Sequence, residues 1–423
     1  MKNVIRTLMD RGFIDAMTSD ELEKLVETPL KVYCGFDPTA DSLHLGNLVA
    51  IMGLAWFQKA GHTPVAIMGG ATGMIGDPSG RNSERQLLSE ETIQVNLRGI
   101  QKNLEQILRF DVINKPVILN NYDWYKGFSF LDFLRDIGKM FRVGVMLAKD
   151  SVKSRLTSEE GMSFTEFSYQ VLQGYDFLYL YNNHQVTVQL GGSDQWGNIT
   201  AGTDLIRKST GKPSYGITFP LITRSDGQKF GKSESGAIWL SAERLSPFEF
   251  YQYLVRVADS DVIKLLKMLT FMDVADIERL QKSMTEVGYK PNTVQRRLAE
   301  EVTRIVHGEE GLQKALKVTA VAAPGADAVL DVESLELISK DMPSYEITLA
   351  EVLGMKLIDL MVATGLQKSK GDARKLIKNG GVYLNNASVS DENGTVLKEN
   401  LIGERLLLLA VGKKNKCIVR VKS

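Results

Sequence analysis

The stretch "YCGFDPTADSLHLGN", Tyr33 to Asn47, sets a phenol, a thiol, two carboxylates, two hydroxyls, an imidazole and an amide between two apolar runs. Its spacing offers no obvious nucleophile–base pair. His44 and Gly46 instead sit at the start of a helix, where unpaired N–H groups and the helix dipole attract phosphate, with Asp37 and Thr39 in the same loop. A lone histidine there serves equally as a helix cap. Further on, "GQKFGKS" supplies Lys229 and Lys232 in a glycine-bearing loop, cations that can close over a polyphosphate. The common nucleotide fingerprints are missing. "GGATGMIGD" has its glycines at 70, 73 and 76 rather than as G-x-G-x-x-G, and Gly227 to Gly231 is one residue short for a Walker A loop. Both segments are also compatible with plain tight turns.

A third group lies in "SFTEFSYQVLQGYDFLYLYN". At helical spacing Phe164, Phe167, Val171, Tyr175 and Leu178 share one face, and Glu166, Tyr169, Gln173 and Asp176 share the opposite one. That polar face is either solvated or lines a pocket, with Tyr169 at its centre as the hint of a pocket. The tail from Lys356 to Ser423 holds 13 Lys/Arg against 6 Asp/Glu in a chain of zero net charge. Lys368, Lys370, Arg374, Lys375 and Lys378 gather around one short helix, and Lys413, Lys414 and Lys416 at one turn. Such clustering suits either a solubilising surface or a nucleic-acid backbone.

The elements that must position these groups follow from periodicity. Residues 31 to 36 read as a strand, 46 to 60 as an apolar helix stopped by Gly61, and 64 to 68 as the next strand, one βαβ unit and hence a parallel sheet. A second strand, polar loop and helix ("HQVTVQL", "GGSDQWGN", "ITAGTDLIRK") should bring its loop to the same crevice at the carboxyl ends of the strands. Roughly 80 to 182 reads as a mostly helical insertion. From Ser246 the pattern is purely helical, opened by "SPFE", in which Ser246 caps and Glu249 closes a capping box. The acidic stretch 321 to 350 shows no clear period and reads as a linker. After it come two short helices, strands around "GVYLNN" and a hairpin in "LLLLAVGKKNKCIVRV".

Length and composition bound the rest. A chain of 423 residues, 43% apolar, is long enough for two or three cores. Two distant cysteines, Cys34 and Cys417, and four isolated histidines indicate neither a disulfide framework nor a metal cage. With no apolar run of 18 residues and an N-terminus that mixes acids with bases, the expected address is the cytoplasm, without membrane contact.

Together "YCGFDPTADSLHLGN", "GGATGMIGDPSG", "NNYDW", "SFTEFSYQVLQGYDF", "LGGSDQWGNITAG" and "KFGKS" resemble, in order and spacing, the bacterial-type tyrosyl-tRNA synthetases, which are class I aminoacyl-tRNA synthetases. The resemblance spans essentially the whole chain. It implies an α/β fold: a Rossmann-like parallel-sheet catalytic domain over 1–235, whose helical insertion also makes a homodimer interface. An all-α anticodon-binding domain over 236–320, the linker 321–350 and a small α+β RNA-binding domain over 351–423, like a ribosomal protein, would follow.

It further implies that Tyr33 and Asp176 read the phenol of L-tyrosine, and that Asp77, Tyr169 and Gln173 hold its ammonium, with Thr72, Asn121 and Gln195 nearby. Cys34, Gly35, Asp37, Gly46, Gly192, Asp194, Leu221 and Ile222 would hold ATP. Thr39, His44, Asn47, Lys229, Lys232 and Ser233 would serve catalysis, and magnesium would accompany the ATP phosphates, with no metal held by the protein alone. The basic residues of the tail, Lys368, Lys370, Arg374, Lys375, Lys378, Lys413 and Lys414, would meet tRNA(Tyr). A phenylalanine in such a pocket would leave buried polar groups unpaired, a discrimination for which this enzyme family is the standard example. Asn47 stands where the family's H-x-G-H signature ends in histidine, and KFGKS replaces the general KMSKS. A tryptophan-specific relative would share fold and reaction; Asp176 opposite Tyr33 argues for a phenol. A synthetase-derived RNA-binding protein fits poorly with intact His44 and lysines, and a dehydrogenase lacks its glycine fingerprint.

Overall fold

The computed structural model describes residues 3–79, 87–156, 161–223, 225, 227, 230–233, 236–321, 330–339, 342–412 and 415–422. The chain divides into two compact units, one of residues 1–245 and 252–308, the other of 246–251 and 309–423. The expected boundaries at 235 and 320 therefore do not coincide with this division. The later break falls at Gly308, whose φ of 70° interrupts the helix Thr293–Val321.

The first unit is built on a six-stranded sheet. Its strands are β1 (Ala16–Met17), β2 (Lys31–Phe36), β3 (Thr63–Met68), β4 (Val117–Asn120), β5 (Val186–Gly192) and β6 (Tyr215–Phe219), in the order β1-β6-β5-β2-β3-β4. All neighbours pair in parallel except β1 with β6. The order reverses between β2 and β5, so their carboxyl ends open the crevice of a doubly wound, Rossmann-like sheet. Tyr33 on β2 is in register with Val65 on one side and Gln189 on the other. The helix Leu45–Lys59 covers one face of the sheet, with Leu45, Leu48, Ile51, Met52, Leu54 and Phe57 fully buried. The other face packs Tyr33, Val65, Ile67, Phe177, Leu180 and Val186 into one core.

Two expectations change here. The segment 80 to 182 is not simply a helical insertion: Val117–Asn120 leaves it to pair with β3 and extend the parallel sheet. Four residues show no period that a reading of the chain could separate from the helices around them. In the helix Phe164–His184 the solvated-face alternative is overturned. Phe164 is 68% exposed, whereas Glu166, Tyr169 and Asp176 are buried. Each has a partner inside: Glu166 Oε2 pairs with buried Arg155 at 2.6 Å, Tyr169 Oη donates to Asp37 and Asp176 accepts from Asn121 and Trp124.

The second unit carries a five-stranded sheet in the order β11-β10-β12-β13-β9. Its strands are β9 (Ser344–Thr348), β10 (Val382–Leu384), β11 (Ala387–Ser388), β12 (Leu406–Val411) and β13 (Asn415–Lys422). The hairpin β12–β13 forms as expected. The linker reading of 321–350 does not hold. The helix Val332–Ser339 buries Leu335 and Ile338, and β9 adds in parallel to β13. The acids that made this stretch look like a solvated connector answer the basic tail: Glu336 pairs with Arg420 at 2.8 Å and Glu346 with Lys422 at 2.6 Å. At the start of the helix Pro247–Val255, Ser246 and Glu249 make the capping box in both directions. No helix among the described residues is long and apolar enough to cross a membrane.

Candidate active site

The crevice between β2 and β5 contains a cavity of about 380 Å³. Tyr33 to Asp37 from β2 and the turn after it, Gln189 to Gly192 from β5, and Thr72, Asp77 and Asn121 line it. The helix Phe164–His184 contributes Tyr169, Gln173 and Asp176. Thr39, His44, Gly46, Asn47, Asp194, Gln195, Leu221 and Ile222 complete the wall. The three sequence regions that offered chemistry thus meet in one place.

One end of the cavity is a buried polar knot. Asp176 accepts from Asn121 Nδ2 at 3.1 Å and from Trp124 Nε1 at 2.9 Å. Asn121, wholly buried, also donates to Thr72 Oγ1 at 3.0 Å and accepts from Ala71 N at 2.7 Å, so its amide cannot rotate without losing bonds. Burial pushes the Asp176 carboxyl up to about 7 against the pull of these donors. Tyr33 is 2% exposed, and its hydroxyl has no hydrogen-bond partner among the described residues. Burial first, then the nearby Asp176 charge, holds that phenol protonated well above its ordinary range. A donor without an acceptor beside an anchored carboxylate is a site prepared for a group that both accepts and donates, such as a phenol.

A second knot follows along the cavity. Asp37 accepts from Tyr169 Oη and from Thr72 Oγ1, each at 2.8 Å. Asp77 accepts from Gln195 Nε2 at 2.7 Å and Ser79 N at 3.0 Å. Asn198 Nδ2 bridges Gln173 Oε1 at 2.9 Å and Gln195 Oε1 at 3.2 Å. Two carboxylates held by neutral donors make a wall suited to a cation. Asp37, expected on the ATP side, is tied directly to Tyr169 and Thr72 and so belongs to this wall as well.

The His44 loop differs from expectation in one respect. The first N–H groups of the helix Leu45–Lys59 are not open to an anion: Leu45 N donates to Ile238 O, Gly46 N to His44 Nδ1 and Asn47 N to His44 O. The helix start is consumed by its own cap and by the segment that crosses it, so the donors left for a phosphate are side chains. With Nδ1 accepting, the neutral His44 carries its proton on Nε2. Asn47 Oδ1 accepts from His44 N at 3.1 Å, which leaves its NH₂ as a donor. Cys34, at the same mouth, is a buried thiol pushed up to about 12 by burial and is no nucleophile at neutral pH.

The lysine loop closes beside this point. Its short hairpin pairs β7 (Lys232–Ser233) with β8 (Gly236–Ala237). Gly231 has φ +86°, and a Cβ there would lie 2.9 Å from Gly46 N, so only glycine fits. Lys229 lies outside the described residues, as do Lys413 and Lys414, and the side chains of Lys232 and Ser233 are not described. In the second unit Lys368, Lys370, Arg374, Lys375 and Lys378 are all exposed, Lys370 pairing with Asp359 at 2.8 Å and Lys378 with Glu392 at 3.4 Å.

Three site residues went unassigned in the sequence. Trp124 anchors Asp176 from the "NNYDW" segment, Asn198 links the two glutamines, and Gln189 is a 2% exposed strand residue whose Oε1 has no partner among the described residues. A polar side chain among the valines and leucine of "VTVQL" was the signal for Gln189.

Residues 24–321 match the family described as tRNA synthetases class I (W and Y), and residues 334–419 match the tyrosine–tRNA ligase SYY-like C-terminal domain. A tyrosine–tRNA ligase from Protochlamydia amoebophila is 65% identical over 422 residues, covering 100% of this chain and 99% of that protein. The chloroplastic/mitochondrial tyrosine–tRNA ligase of Arabidopsis thaliana is 52% identical over 427 residues, covering 99% of this chain and 84% of its own. Among solved structures, a C-terminally truncated mitochondrial tyrosyl-tRNA synthetase from Coccidioides posadasii matches with a TM-score of 0.66 at 34% identity, over 75% of this chain and 92% of that one.

Proposed function

The chain belongs to the tyrosine–tRNA ligases among the class I tRNA synthetases, and from that premise we propose how its cavity carries out the ligation of tyrosine to tRNA. ATP is the co-substrate of the class. Tyrosine enters with its phenol between Tyr33 and Asp176, accepting from the first and donating to the second. The observation that carries this orientation is the Tyr33 hydroxyl, without a hydrogen-bond partner among the described residues, beside an Asp176 whose position Asn121 and Trp124 dictate. The ammonium then falls against Asp77, Tyr169 and Gln173, with Asp37 and Thr72 behind Tyr169 and Gln195 behind Asp77.

ATP lies toward the His44 loop, its adenine against Leu221 and Ile222, its ribose near Asp194, Gly192, Cys34 and Gly35. A tyrosine carboxylate oxygen attacks the α-phosphorus, the bond to the bridging oxygen breaks, and pyrophosphate leaves. A ribose hydroxyl at the 3′ end of tRNA(Tyr) then takes the tyrosyl group and AMP departs. Neither step needs a covalent enzyme intermediate; the protein positions the reactants and neutralises charge as it develops. Thr39, the Nε2–H of His44 and the NH₂ of Asn47 donate to phosphate oxygens, and Lys229, Lys232 and Ser233 close over the leaving pyrophosphate. No group of three or more His, Cys, Asp or Glu among the described residues could hold a metal alone. Magnesium would accompany ATP, where it would neutralise charge on the phosphate oxygens.

The body 1–235 is read as catalytic, the helices of 236–320 as the anticodon-binding part, and the sheet of the second unit as an RNA-binding part that meets tRNA with Lys368, Lys370, Arg374, Lys375, Lys378, Lys413 and Lys414. A homodimer is read from the insertion, where Phe130, Leu131, Val143, Val145 and Phe164 are each about 60% exposed or more, apolar area that a partner copy would cover. The cytoplasm, where tRNA is charged, is the assigned compartment. Tyrosine-dependent ATP–pyrophosphate exchange tests the reading: exchange with tyrosine, far weaker exchange with phenylalanine and none with tryptophan is expected. Exchange driven best by tryptophan would overturn the phenol assignment.

A further inference from the structure

The loop that carries Thr39 and His44 has a support outside the cavity. The helix Glu90–Ile107 turns a narrow stripe toward it, Asn96, Gly99 and Asn103, spaced three and four residues apart and so on one face. Asn96 Nδ2 donates to Pro38 O at 2.8 Å. At Gly99 the helix meets the loop so closely that a Cβ would overlap the carbonyl oxygen of Asp41. Asn103 Oδ1 accepts from Leu43 N at 2.8 Å and from Ser42 Oγ at 3.2 Å. Both asparagines are buried, Asn103 to 2% exposure, where a polar side chain is tolerated only if it is paired.

The contacts continue past the loop. Ser42 Oγ accepts from Ser241 N at 3.1 Å, Leu240 N donates to Leu43 O at 2.9 Å, and Leu45 N donates to Ile238 O at 2.7 Å. The segment that follows the lysine hairpin is thus stitched to the same few loop residues that the helix holds from the other side.

We propose that Asn103, supported by Asn96 and Gly99, is a positioning residue for ATP: it sets the height of Pro38 to Leu43 over the cavity and, through Ser42, the seat of the hairpin bearing Lys232. The assignment rests on the reading that Thr39 and His44 face the ATP phosphates. Asn103 touches no substrate, and the tyrosine knots around Asp176 and Asp77 share no bond with it, so its loss should fall on one substrate only.

The test compares Asn103→Ala, Asn103→Asp, Gly99→Ala and His44→Ala in the full chain. Pyrophosphate exchange is measured with ATP and tyrosine varied separately, and equilibrium tyrosine binding and thermal unfolding are measured alongside. Since an ångström of misplacement costs about 100-fold, Asn103→Ala should lower kcat/KM for ATP by roughly 10- to 100-fold while leaving tyrosine Kd unchanged. Asn103→Asp keeps an acceptor at the same reach and should restore most of that loss. Gly99→Ala removes no hydrogen-bonding group, yet its Cβ would force the helix and the loop apart, and it should reproduce the ATP-side loss. Asn103→Ala with wild-type ATP kinetics beside an impaired His44→Ala would overturn the positioning role, as would an equal loss on both substrates. A His44→Ala enzyme with normal exchange would overturn the phosphate reading and this role with it.

Discussion

Replacing Tyr33 by phenylalanine should separate activity from stability, because the two respond to the same hydroxyl with opposite sign. In the ligand-free chain that hydroxyl is buried and has no partner among the described residues. A buried unsatisfied polar group costs about 1–3 kcal/mol, so deleting it should leave the free protein as stable as before or more stable by about 1 kcal/mol. With tyrosine bound, the hydroxyl donates to the substrate phenol. A neutral hydrogen bond is worth about 0.5–1.5 kcal/mol, so Tyr33→Phe should lower kcat/KM for tyrosine by roughly 2- to 13-fold. Phenylalanine never pairs with this group and should be activated equally by both forms, which shrinks the tyrosine-to-phenylalanine ratio by the same factor. Pyrophosphate exchange with each amino acid, together with thermal unfolding of the free protein, measures all three quantities. A variant that is less stable by 1 kcal/mol or more yet keeps wild-type kcat/KM for tyrosine would refute the assignment, since the hydroxyl would then be serving the fold.

Asp176 predicts a pH dependence. Its carboxyl is raised from 3.8 to about 7 by burial, so between these values the folded state binds more protons than the unfolded one. Stability of the ligand-free protein should therefore fall as pH rises from about 4 to about 7 and then level off, and Asp176→Asn should flatten that slope in thermal unfolding. Over the upper part of the same window kcat/KM for tyrosine should rise as the carboxylate becomes an acceptor. Asn47→His should keep or raise the adenylation rate, because an imidazole can accept from His44 N and still donate outward; a large loss in pre-steady-state adenylate formation would speak against that role. Lys232→Ala should slow adenylate formation with tyrosine binding nearly intact, and equal losses in both would make the lysine structural. Removing residues 322–423, which takes the whole five-stranded sheet rather than splitting it, should spare exchange but weaken tRNA charging, with the gap between the two forms widest at low salt.

Much of the site was legible because its chemistry sits at junctions that periodicity locates. The strand Lys31–Phe36 was read with its observed limits, and the helix after it within a residue. From these, the polar residues of Cys34 to Asn47 had to gather at one strand end. What escaped were groups whose role depends on a distant partner. Trp124 looks like core until Asp176 is opposite it, and Asn103 looks like a solvated helix position until Leu43 and Ser42 reach it across sixty residues of chain. The acidic stretch before β9 escaped for a related reason, since its charges are balanced by basic residues far along the chain.

The amino-acid sequence by itself determined the alternation of strands and helices, the residue types at each loop and the family they resemble, because local spacing and composition carry that information. Only the tertiary structure decided which face of the helix Phe164–His184 is inside, that the first N–H groups behind His44 are already taken, and that the Tyr33 hydroxyl has no hydrogen-bond partner among the described residues. Burial and hydrogen-bond satisfaction are properties of what packs against a residue. They arise only when segments far apart in the chain are brought to the same few ångströms.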